Sequence, residues 1–447
     1  PAQNLCGNDR IGTFARGSKV IDLIKATINR VKNSQLARNT FWMFLGQGLR
    51  IIIQAGYFIL IARSLGSQGY GAFVGVCALV GILAPFAGLG SGNLLIKNVA
   101  RNPESFSRYW GHSLLMILIS GAVLLLVVLG ISRIVFPAAI PFSLVFIIAV
   151  SDLFFANALG VTGQAFQAFQ RLERTAQIQV IPNILRLIAI AGLSIYIKEP
   201  TPLQWSYLYL TTTIISALIG VWLVYTELGR PVFTLVGMKA EKAEGFYFSV
   251  SLSAQGIYND IDKTMLMRFS TLAATGIYSA AYRIIDVSFV PIRSLLFAAY
   301  ARFFQHGASG VQGSLSFAKK LLPIAGGYGL ISGILLIVTA PLLPYVLGVE
   351  YNDAAVALRW LAPLPFLKAV HYFAADTLTG AGFQGVRSGI QVVVALFNVG
   401  INLWLIPAYS WRGAAWASIA SDGLLAVLLW IIVYYLISKK QVAVGIS

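Results

Sequence analysis

After residue 38, long apolar segments alternate with short polar stretches along nearly the whole chain. A helix needs about 20 mostly apolar residues to cross the hydrocarbon core of a bilayer. Segments of this kind lie at about residues 39–62, 70–96, 110–131, 140–165, 176–197, 204–226, 246–267, 275–300, 321–347, 355–381, 389–409 and 413–437. The pattern therefore predicts an all-α integral membrane protein with about twelve transmembrane helices.

The second half of the chain repeats features of the first half. Two echoes carry the repeat: Arg63 to Val80 with Arg268 to Ile285, and Ala168-Phe169-Gln170 with Gly382-Phe383-Gln384. In the first echo, Gly71 matches Gly276. Chance similarity between apolar helices is the alternative, but the two echoes occur in the same order in both halves. We therefore read the chain as two copies of one unit, with a substrate site between them.

Six helices per copy is an even number, so both copies enter the membrane from the same side. The copies are then parallel and are related by a pseudo-two-fold axis along the membrane normal. The predicted organisation is a basic tail (1–38), an N-lobe (39–228), a linker (229–245), a C-lobe (246–438) and a short tail (439–447). The basic tail fits either an amphipathic helix on an anionic membrane surface or a disordered segment.

The distribution of Lys and Arg predicts the orientation. These residues concentrate in the tails, the linker and alternate loops, and cytoplasmic loops carry such an excess. The loops of the other face contain only Arg63, Arg133, Lys198, Arg268 and Arg412. We therefore expect both termini and the linker to be cytoplasmic. The loops of the other face are also short, which argues against a soluble catalytic domain there.

Composition narrows the class further. The chain is 57% hydrophobic and 11% charged, and its mean hydropathy is +0.77, whereas soluble domains carry roughly 25% charged residues. The net charge of +17 does not indicate nucleic-acid binding, because the basic residues punctuate apolar segments instead of covering a soluble face. Two cysteines give neither a disulfide framework nor a metal cluster, and we expect no cofactor. The chain begins at Pro1 without Met, so we expect a trimmed N-terminus.

Basic residues inside the predicted spans are the first candidates for a site, since a charge at the bilayer centre costs at least about 2.5–3.5 kcal/mol. Arg293 and Arg359 lie near span ends, where snorkelling explains them. The predicted cationic cavity consists of Arg50, Arg186, Lys263, Lys368 and Arg283. The predicted polar lining consists of Gln47, Gln54, Tyr57, Asn183, Asn259, Tyr278, Tyr282, Gln391 and Asn398.

Acidic residues in the same spans leave alternatives open. Arg283 with Asp286, and Asp260 with Lys263, are three residues apart and could form structural pairs. Lone Asp152 and Asp422 could carry an ion or pair with an arginine. The candidates for ion or proton coupling are Asp262, Asp286, Asp376 and His371, although a packed histidine is equally compatible with the sequence.

No metal site is predicted. Asp260-Ile-Asp262 has the spacing of a glycosyltransferase metal motif. Residues two apart on a helix, however, point to nearly opposite sides.

The chain resembles the polysaccharide transporter family of the MOP superfamily, the Wzx-type flippases. The resemblance covers about residues 39–440 and is carried by Asn39-Thr40-Phe41-Trp42 through ARSLGSQGYGAF, by IYNDIDKTMLMRFSTLAATGIYSAAYRI (Ile257 to Ile284) and by NVGINLWLIPAYSWRGAAWASIAS (Asn398 to Ser421). It implies two six-helix lobes around a cavity that opens alternately to either face. It also implies a cationic cavity that receives an anionic polyprenyl-pyrophosphate glycan.

The resulting hypothesis is a flippase, not an enzyme, that moves an undecaprenyl-pyrophosphate-linked oligosaccharide across a bacterial inner membrane. Its expected partners are the lipid-linked glycan, the bilayer and, downstream, a polysaccharide polymerase and a chain-length regulator. The alternatives are a MATE-type cation or drug antiporter, which needs an acidic cavity, a membrane-embedded polymerase or ligase, and a scaffold subunit of an envelope-assembly complex.

Overall fold

The computed structural model describes residues 35–233 and 239–445, and these residues form helices joined by short turns, with no strand. The predicted basic tail, apart from its last four residues, and part of the linker lie outside the described residues. The helices of the first half are α1 (Gln35–Leu83), α2 (Ser91–Arg101), α3 (Phe106–Val135), α4 (Phe142–Val150), α5 (Asn157–Ala168), α6 (Leu172–Tyr196) and α7 (Pro202–Glu227). A π-helical turn, Ser151–Ala156, joins α4 to α5.

The second half begins within the predicted linker. Its helices are α8 (Lys239–Phe269), α9 (Leu272–Ser288), α10 (Val290–Gly307), α11 (Val311–Thr339), α12 (Leu343–Leu347), α13 (Asn352–Leu361), α14 (Leu364–Gly380), α15 (Gln384–Tyr409) and α16 (Trp411–Gly445). All twelve predicted spans lie on these helices, and eight helical stretches of the described residues are long and apolar enough to cross a membrane. The all-α membrane fold is confirmed.

Three predicted spans are interrupted by a non-helical turn. A proline lies at or beside each break, namely Pro85, Pro291 and Pro363. Proline has no backbone N–H and its ring clashes with the carbonyl four residues earlier, so a helix ends or bends there. The affected predictions are 70–96, 275–300 and 355–381. Pro182 and Pro323, by contrast, lie inside continuous helices.

The two halves meet where α1 crosses α9. A Cβ atom at Gly71 would lie 1.9 Å from the carbonyl oxygen of Leu272, and one at Gly276 would lie 2.0 Å from the carbonyl oxygen of Ser67. Only glycine permits such a close approach of two helix backbones. Gly71 and Gly276 are the positions that match in the sequence repeat, so the crossing lies on the pseudo-two-fold axis.

One seam between the halves is closed along its length. It is formed by the second half of α1, after Gly66, and by α8. Ser253 donates a hydrogen bond to the carbonyl of Ile82 (2.7 Å), and Thr264 donates one to the carbonyl of Gly75 (3.3 Å). The sequence repeat relates this seam to a second one, between α9 and the first half of α1. The second seam is not closed and contains a cavity.

A similar helix-ending turn occurs in both halves, although the sequence echo aligns Gln170 with Gln384, two residues after the structural match at Gly382. Gln170 (φ 58°) and Gly382 (φ 87°) both adopt a left-handed conformation after a helix. In each turn the next residue donates its N–H to the carbonyl five residues earlier, Arg171 to Phe166 (2.9 Å) and Phe383 to Leu378 (2.8 Å). This is the hydrogen bond that closes a Schellman motif.

Candidate substrate cavity

Three connected cavities lie between the two halves of the molecule, and Arg283 on α9 lines all of them. The largest, here the wide chamber, has a volume of about 720 Å³. The second, here the deep chamber, has about 370 Å³. The third, here the apolar slot, has about 290 Å³.

The wide chamber is polar and lies mainly in the second half. Its charged lining comprises Asp260, Arg283, Asp286, Arg293, Lys368, Asp376 and Arg387. Asn259, Tyr282, Tyr300 and Tyr372 add hydrogen-bonding and aromatic surface. Sugars are bound through such combinations of polar groups and aromatic faces, so this lining can hold a glycan as well as an anion.

The deep chamber lies between the halves, next to the α1–α9 crossing. Tyr57, Tyr70, Arg186 and Tyr209 line it from the first half, while Asp260, Lys263, Arg283 and Asp286 line it from the second. Because both halves contribute to its wall, any movement of one half against the other changes its shape.

The apolar slot occupies the open seam between α1 and α9. Its lining includes Phe58, Ile59, Ile284, Val287, Leu343 and Val346. Val287 is 40% exposed, Val346 is 42% exposed and the adjoining Leu342 is 56% exposed. The slot therefore reaches the lipid-facing surface of the bundle, and Gln54 and Arg283 lie where it joins the wide chamber.

Ion pairs in the second half leave Arg283 without a partner. Lys263 pairs with Asp260 one turn before it on α8. Lys368 on α14 lies 3.9 Å from Asp286 and donates a hydrogen bond to the hydroxyl of Tyr282 (2.9 Å). The possible Arg283–Asp286 pair does not form, because Lys368 approaches Asp286 instead. Arg283 has no ion pair or hydrogen bond with any side chain that the structure describes.

Arg186 is held by neutral groups of the first half. Its guanidinium donates to Thr213 Oγ1 (3.1 Å) and lies 4.1 Å from the ring centroid of Tyr209. The Tyr209 hydroxyl in turn donates to Asp152 Oδ1 (2.9 Å). Asp152 thus binds a tyrosine instead of an arginine, and the charge of Arg186 is not neutralised by a direct salt bridge in the described residues.

A second polar cluster lies behind the cavity wall, inside the second half. The carboxylate of Asp262 accepts hydrogen bonds from Tyr278 and from Ser418 (3.3 Å). Asn398 donates to Ser421 (2.9 Å). These predicted site residues are buried and do not line the cavities described here.

Two further acids belong to hydrogen-bonded pairs. His371 Nε2 lies 3.1 Å from Asp422 Oδ1, and both side chains are almost completely buried. Asp376 pairs with Arg387 (3.3 Å), which also donates to Thr379 (2.8 Å). The Asp376 pair lines the wide chamber, whereas the His371 pair lies within the helix packing.

Of the remaining predicted site residues, some lie at the cavities and others do not. Gln54 donates to Asn183 Oδ1 (3.1 Å), and Asn183 is buried behind the slot entrance. Gln391 is half-buried on α15, away from the three cavities. Gln47 and Arg50 lie on α1 but outside the residues whose side chains the structure describes.

Sequence reasoning missed Tyr70, Tyr209 and Arg387 as lining residues. Arg387 lies between the predicted spans 355–381 and 389–409 and so reads as a loop residue, although the α14–α15 turn folds it into the wide chamber. A signal for Tyr209 exists, because Tyr209, Thr212 and Ser216 recur at helical spacing in an otherwise apolar span. The side chain of Tyr70 gives no such signal.

The cavities open toward one face of the molecule. At the face where α1 bends and α9 begins, the Gly71–Gly276 crossing closes the space between the halves. From there the wide chamber extends along α14 to Asp376 and Arg387, next to the α14–α15 turn. This is the face at which α1 begins and α16 ends, here called the terminal face, and the closed face is called the opposite face.

A cavity between the two halves, closed at one face, is an arrangement found in membrane transporters. Solved structures of MOP superfamily transporters share this fold. An inward-facing MATE family multidrug resistance transporter aligns with a TM-score of 0.73 at 16% identity over 88% of this chain and 95% of that chain. A MOP superfamily transporter from Pyrococcus furiosus, described as having a binding pocket of reverse polarity, aligns with a TM-score of 0.63 at 18% identity over 91% of this chain and 96% of that chain.

Residues 36–304 match the model of the polysaccharide biosynthesis protein family, and the chain belongs to this family. It is 21% identical to the putative O-antigen transporter of Escherichia coli strain K12, over 88% of this chain and 95% of that protein. It is 22% identical to the probable low-salt glycan biosynthesis flippase Agl15 of Haloferax volcanii, over 88% and 82%. The protein is thus a multi-pass membrane protein of this family, and its fold is that of the MOP superfamily transporters.

Proposed function

We propose that this protein is a flippase for a lipid-linked oligosaccharide, in which an undecaprenyl-pyrophosphate anchor carries the glycan. The proposal rests on the arrangement of the cavities around Arg283. There an apolar slot that reaches the lipid-facing surface meets a chamber whose charged lining has four basic and three acidic residues. A substrate with an apolar chain, an anionic linkage and a polar glycan has the same three parts in the same order.

The apolar slot suits the polyprenyl chain. Its aliphatic lining offers no hydrogen-bonding advantage to water or sugar, so a hydrocarbon chain can occupy it without desolvating polar groups. The slot also lets the chain remain in contact with the bilayer while the head group is inside the protein. A substrate without a lipid chain has no use for this opening.

Arg283 suits the pyrophosphate. Its guanidinium has no ion pair among the described residues, and it lies at the inner end of the slot. Arginine binds phosphate oxygens bidentately, and such charge-assisted hydrogen bonds are among the strongest in proteins. Lys368 and Arg293 add positive charge to the same chamber.

The glycan is then expected in the wide and deep chambers. Carboxylates at Asp260 and Asp286 can accept hydrogen bonds from sugar hydroxyl groups, and Tyr57, Tyr70 and Tyr282 provide aromatic faces. Bases outnumber acids in the combined lining, which opposes the alternative of a cation antiporter.

The two relatives also support a flippase function, since one is a putative O-antigen transporter and the other a probable glycan biosynthesis flippase. The proposal places the protein in a bacterial inner membrane with the terminal face in the cytoplasm, where the excess of Lys and Arg is expected. The glycan then enters from the cytoplasm and leaves at the opposite face, where a polymerase would receive it.

Ion coupling is part of the proposal. The candidates are the buried pair His371–Asp422, the carboxylate of Asp262 and the Asp376–Arg387 pair. An ion or proton that binds one conformation better than the other shifts the equilibrium between conformations. Transport by Asp262→Asn, Asp376→Asn and His371→Gln variants, with and without a proton or sodium gradient, will identify the group that responds.

The test is reconstitution into liposomes with a fluorescent polyprenyl-pyrophosphate oligosaccharide and a membrane-impermeant quencher. Val287→Trp fills the slot and should slow transfer between leaflets, whereas Val338→Trp alters a lipid-exposed residue outside the slot and should not. Failure of the wild-type protein to move this lipid, together with export of organic cations, would favour a cation antiporter.

A further inference from the structure

A single segment of the second half both lines the apolar slot and joins the first half at the opposite face. This segment, residues 340–351 and here called the strap, runs from the end of α11 through α12 to the start of α13. Leu343, Val346 and Leu347 of the strap line the slot.

The far end of the strap is hydrogen-bonded across the boundary between the halves. Glu350 Oε2 accepts from the backbone N–H of Ser67 (2.9 Å) and from its hydroxyl (3.3 Å). Arg63 donates to the carbonyl of Tyr345 (2.9 Å), and the Tyr351 hydroxyl donates to the carbonyl of Ala62 (3.1 Å). Separation of the strap from α1 would break all of these contacts.

Of these contacts, the hydrogen bonds between Glu350 and Ser67 are the best suited to form and break during a conformational change. Ser67 follows the bend at Gly66 (φ 64°) and starts the second half of α1, so its N–H is free to bind a carboxylate, which the helix dipole also favours. A Cβ at Gly66 would lie 2.7 Å from Glu350 Oε2, so a larger residue there would displace the carboxylate. Glu350 is exposed, and water can replace its contacts when they open.

The repeat-related position lacks this contact. The start of α9 is capped by Thr271, whose hydroxyl accepts from the N–H of Ala274 (3.0 Å). The loop between α3 and α4, residues 136–141, contains no acidic residue that could act as Glu350 does. Within the described part of the chain, the carboxylate contact therefore occurs only at the seam that contains the slot.

We propose that the strap couples occupation of the slot to opening of the opposite face. An apolar chain in the slot presses Leu343 and Val346 away from α1, and α12 passes this displacement to Glu350, which releases Ser67. Glu350 is then a positioning residue that holds the empty transporter closed. The identity of the occupant as a polyprenyl chain rests on the proposed function, whereas the link between slot and Glu350 does not.

The experiment measures the distance between spin labels at Lys198 and Arg412, exposed residues of the two halves that are absent from the strap. The protein is full-length, in lipid nanodiscs, without substrate. Glu350→Gln should increase the open population about three- to tenfold, since it weakens hydrogen bonds made by a charged, exposed group. Asp353→Asn, an exposed acid just beyond the strap, is the matched control and should give the wild-type distribution.

A second pair of variants tests the coupling itself. Val346→Trp fills the slot and should open the labelled face, whereas Val349→Trp adds the same ring to a residue that is 78% exposed and does not line the slot. Polyprenyl phosphate added to the wild-type protein should reproduce the effect of Val346→Trp. Water-soluble pyrophosphate should not.

The inference is overturned if Glu350→Gln and Val346→Trp both give the wild-type distances, or if Val349→Trp opens the face as much as Val346→Trp does. Failure of the proposed function is distinguishable. A protein that shows these shifts but moves no lipid-linked glycan in liposomes has the coupling without the proposed substrate.

Discussion

Among the residues whose side chains the structure describes, Arg283 is the one cation that lines all three cavities, and replacing it with glutamine removes this charge. The guanidinium is half-buried and has no ion pair among the described residues, so its loss leaves no buried carboxylate unpaired. The fold should therefore be retained, and the effect should fall on the substrate. Substitution of Arg283 therefore tests substrate binding without disturbing the fold. Substitution of Lys263 or Lys368 would also break an ion pair within the protein.

The magnitude follows from the contacts that Arg283 can make. A hydrogen bond to a charged group contributes about 1.5–3 kcal/mol, and partial exposure of Arg283 to the wide chamber places the expected loss near the lower end. A loss of about 1.5 kcal/mol corresponds to roughly tenfold weaker binding. Arg283→Lys should recover part of this affinity, because lysine keeps the charge but not the bidentate geometry.

The assay is binding of a polyprenyl pyrophosphate to purified protein in nanodiscs, followed by transfer between leaflets in liposomes. Arg359→Gln is the matched control, because Arg359 is exposed on α13 and lines none of the three cavities. The account is refuted if Arg283→Gln binds and transports like the wild type, or if Arg359→Gln reduces affinity as much.

Three other substitutions test the architecture around the site. Gly71→Ala should destabilise the closed opposite face by about 1–3 kcal/mol, lowering the melting temperature, whereas Gly81→Ala meets nothing within 4 Å and should not. Tyr209→Phe removes the donor to Asp152 and should reduce transport while Tyr207→Phe, on the exposed side of α7, leaves it intact. Asp422→Asn weakens the buried pair of Asp422 with His371. It should lower the free energy of unfolding by about 1–3 kcal/mol, measured by thermal unfolding.

The fold was predictable because each of its elements has a local signature. The length of the apolar segments predicts the membrane spans. The matched glycines Gly71 and Gly276 indicate where the two halves cross. The sequence does not tell which prolines break a helix, as Pro291 and Pro363 do, because proline is tolerated inside transmembrane helices wherever neighbours satisfy the freed backbone groups. Pro182 shows this tolerance within α6.

The site was only partly predictable, since a helix pattern shows that a polar residue needs a partner but not which helix supplies it. Asp286 is three residues from Arg283, yet Lys368 from α14 is its partner. Asp262 and Asn398 were plausible cavity residues by polarity alone, and the structure places both within the packing of the second half. The slot itself depends on residues from α1, α9 and α12, which no single segment of sequence reveals.

The most direct test of the central claim compares one glycan with and without its lipid. Wild-type protein in liposomes should move the polyprenyl-pyrophosphate oligosaccharide between leaflets, and should not transport the same oligosaccharide released from its lipid. Equal transport of the free glycan, or transfer that Val287→Trp leaves unchanged, would contradict a lipid-linked substrate held through the apolar slot.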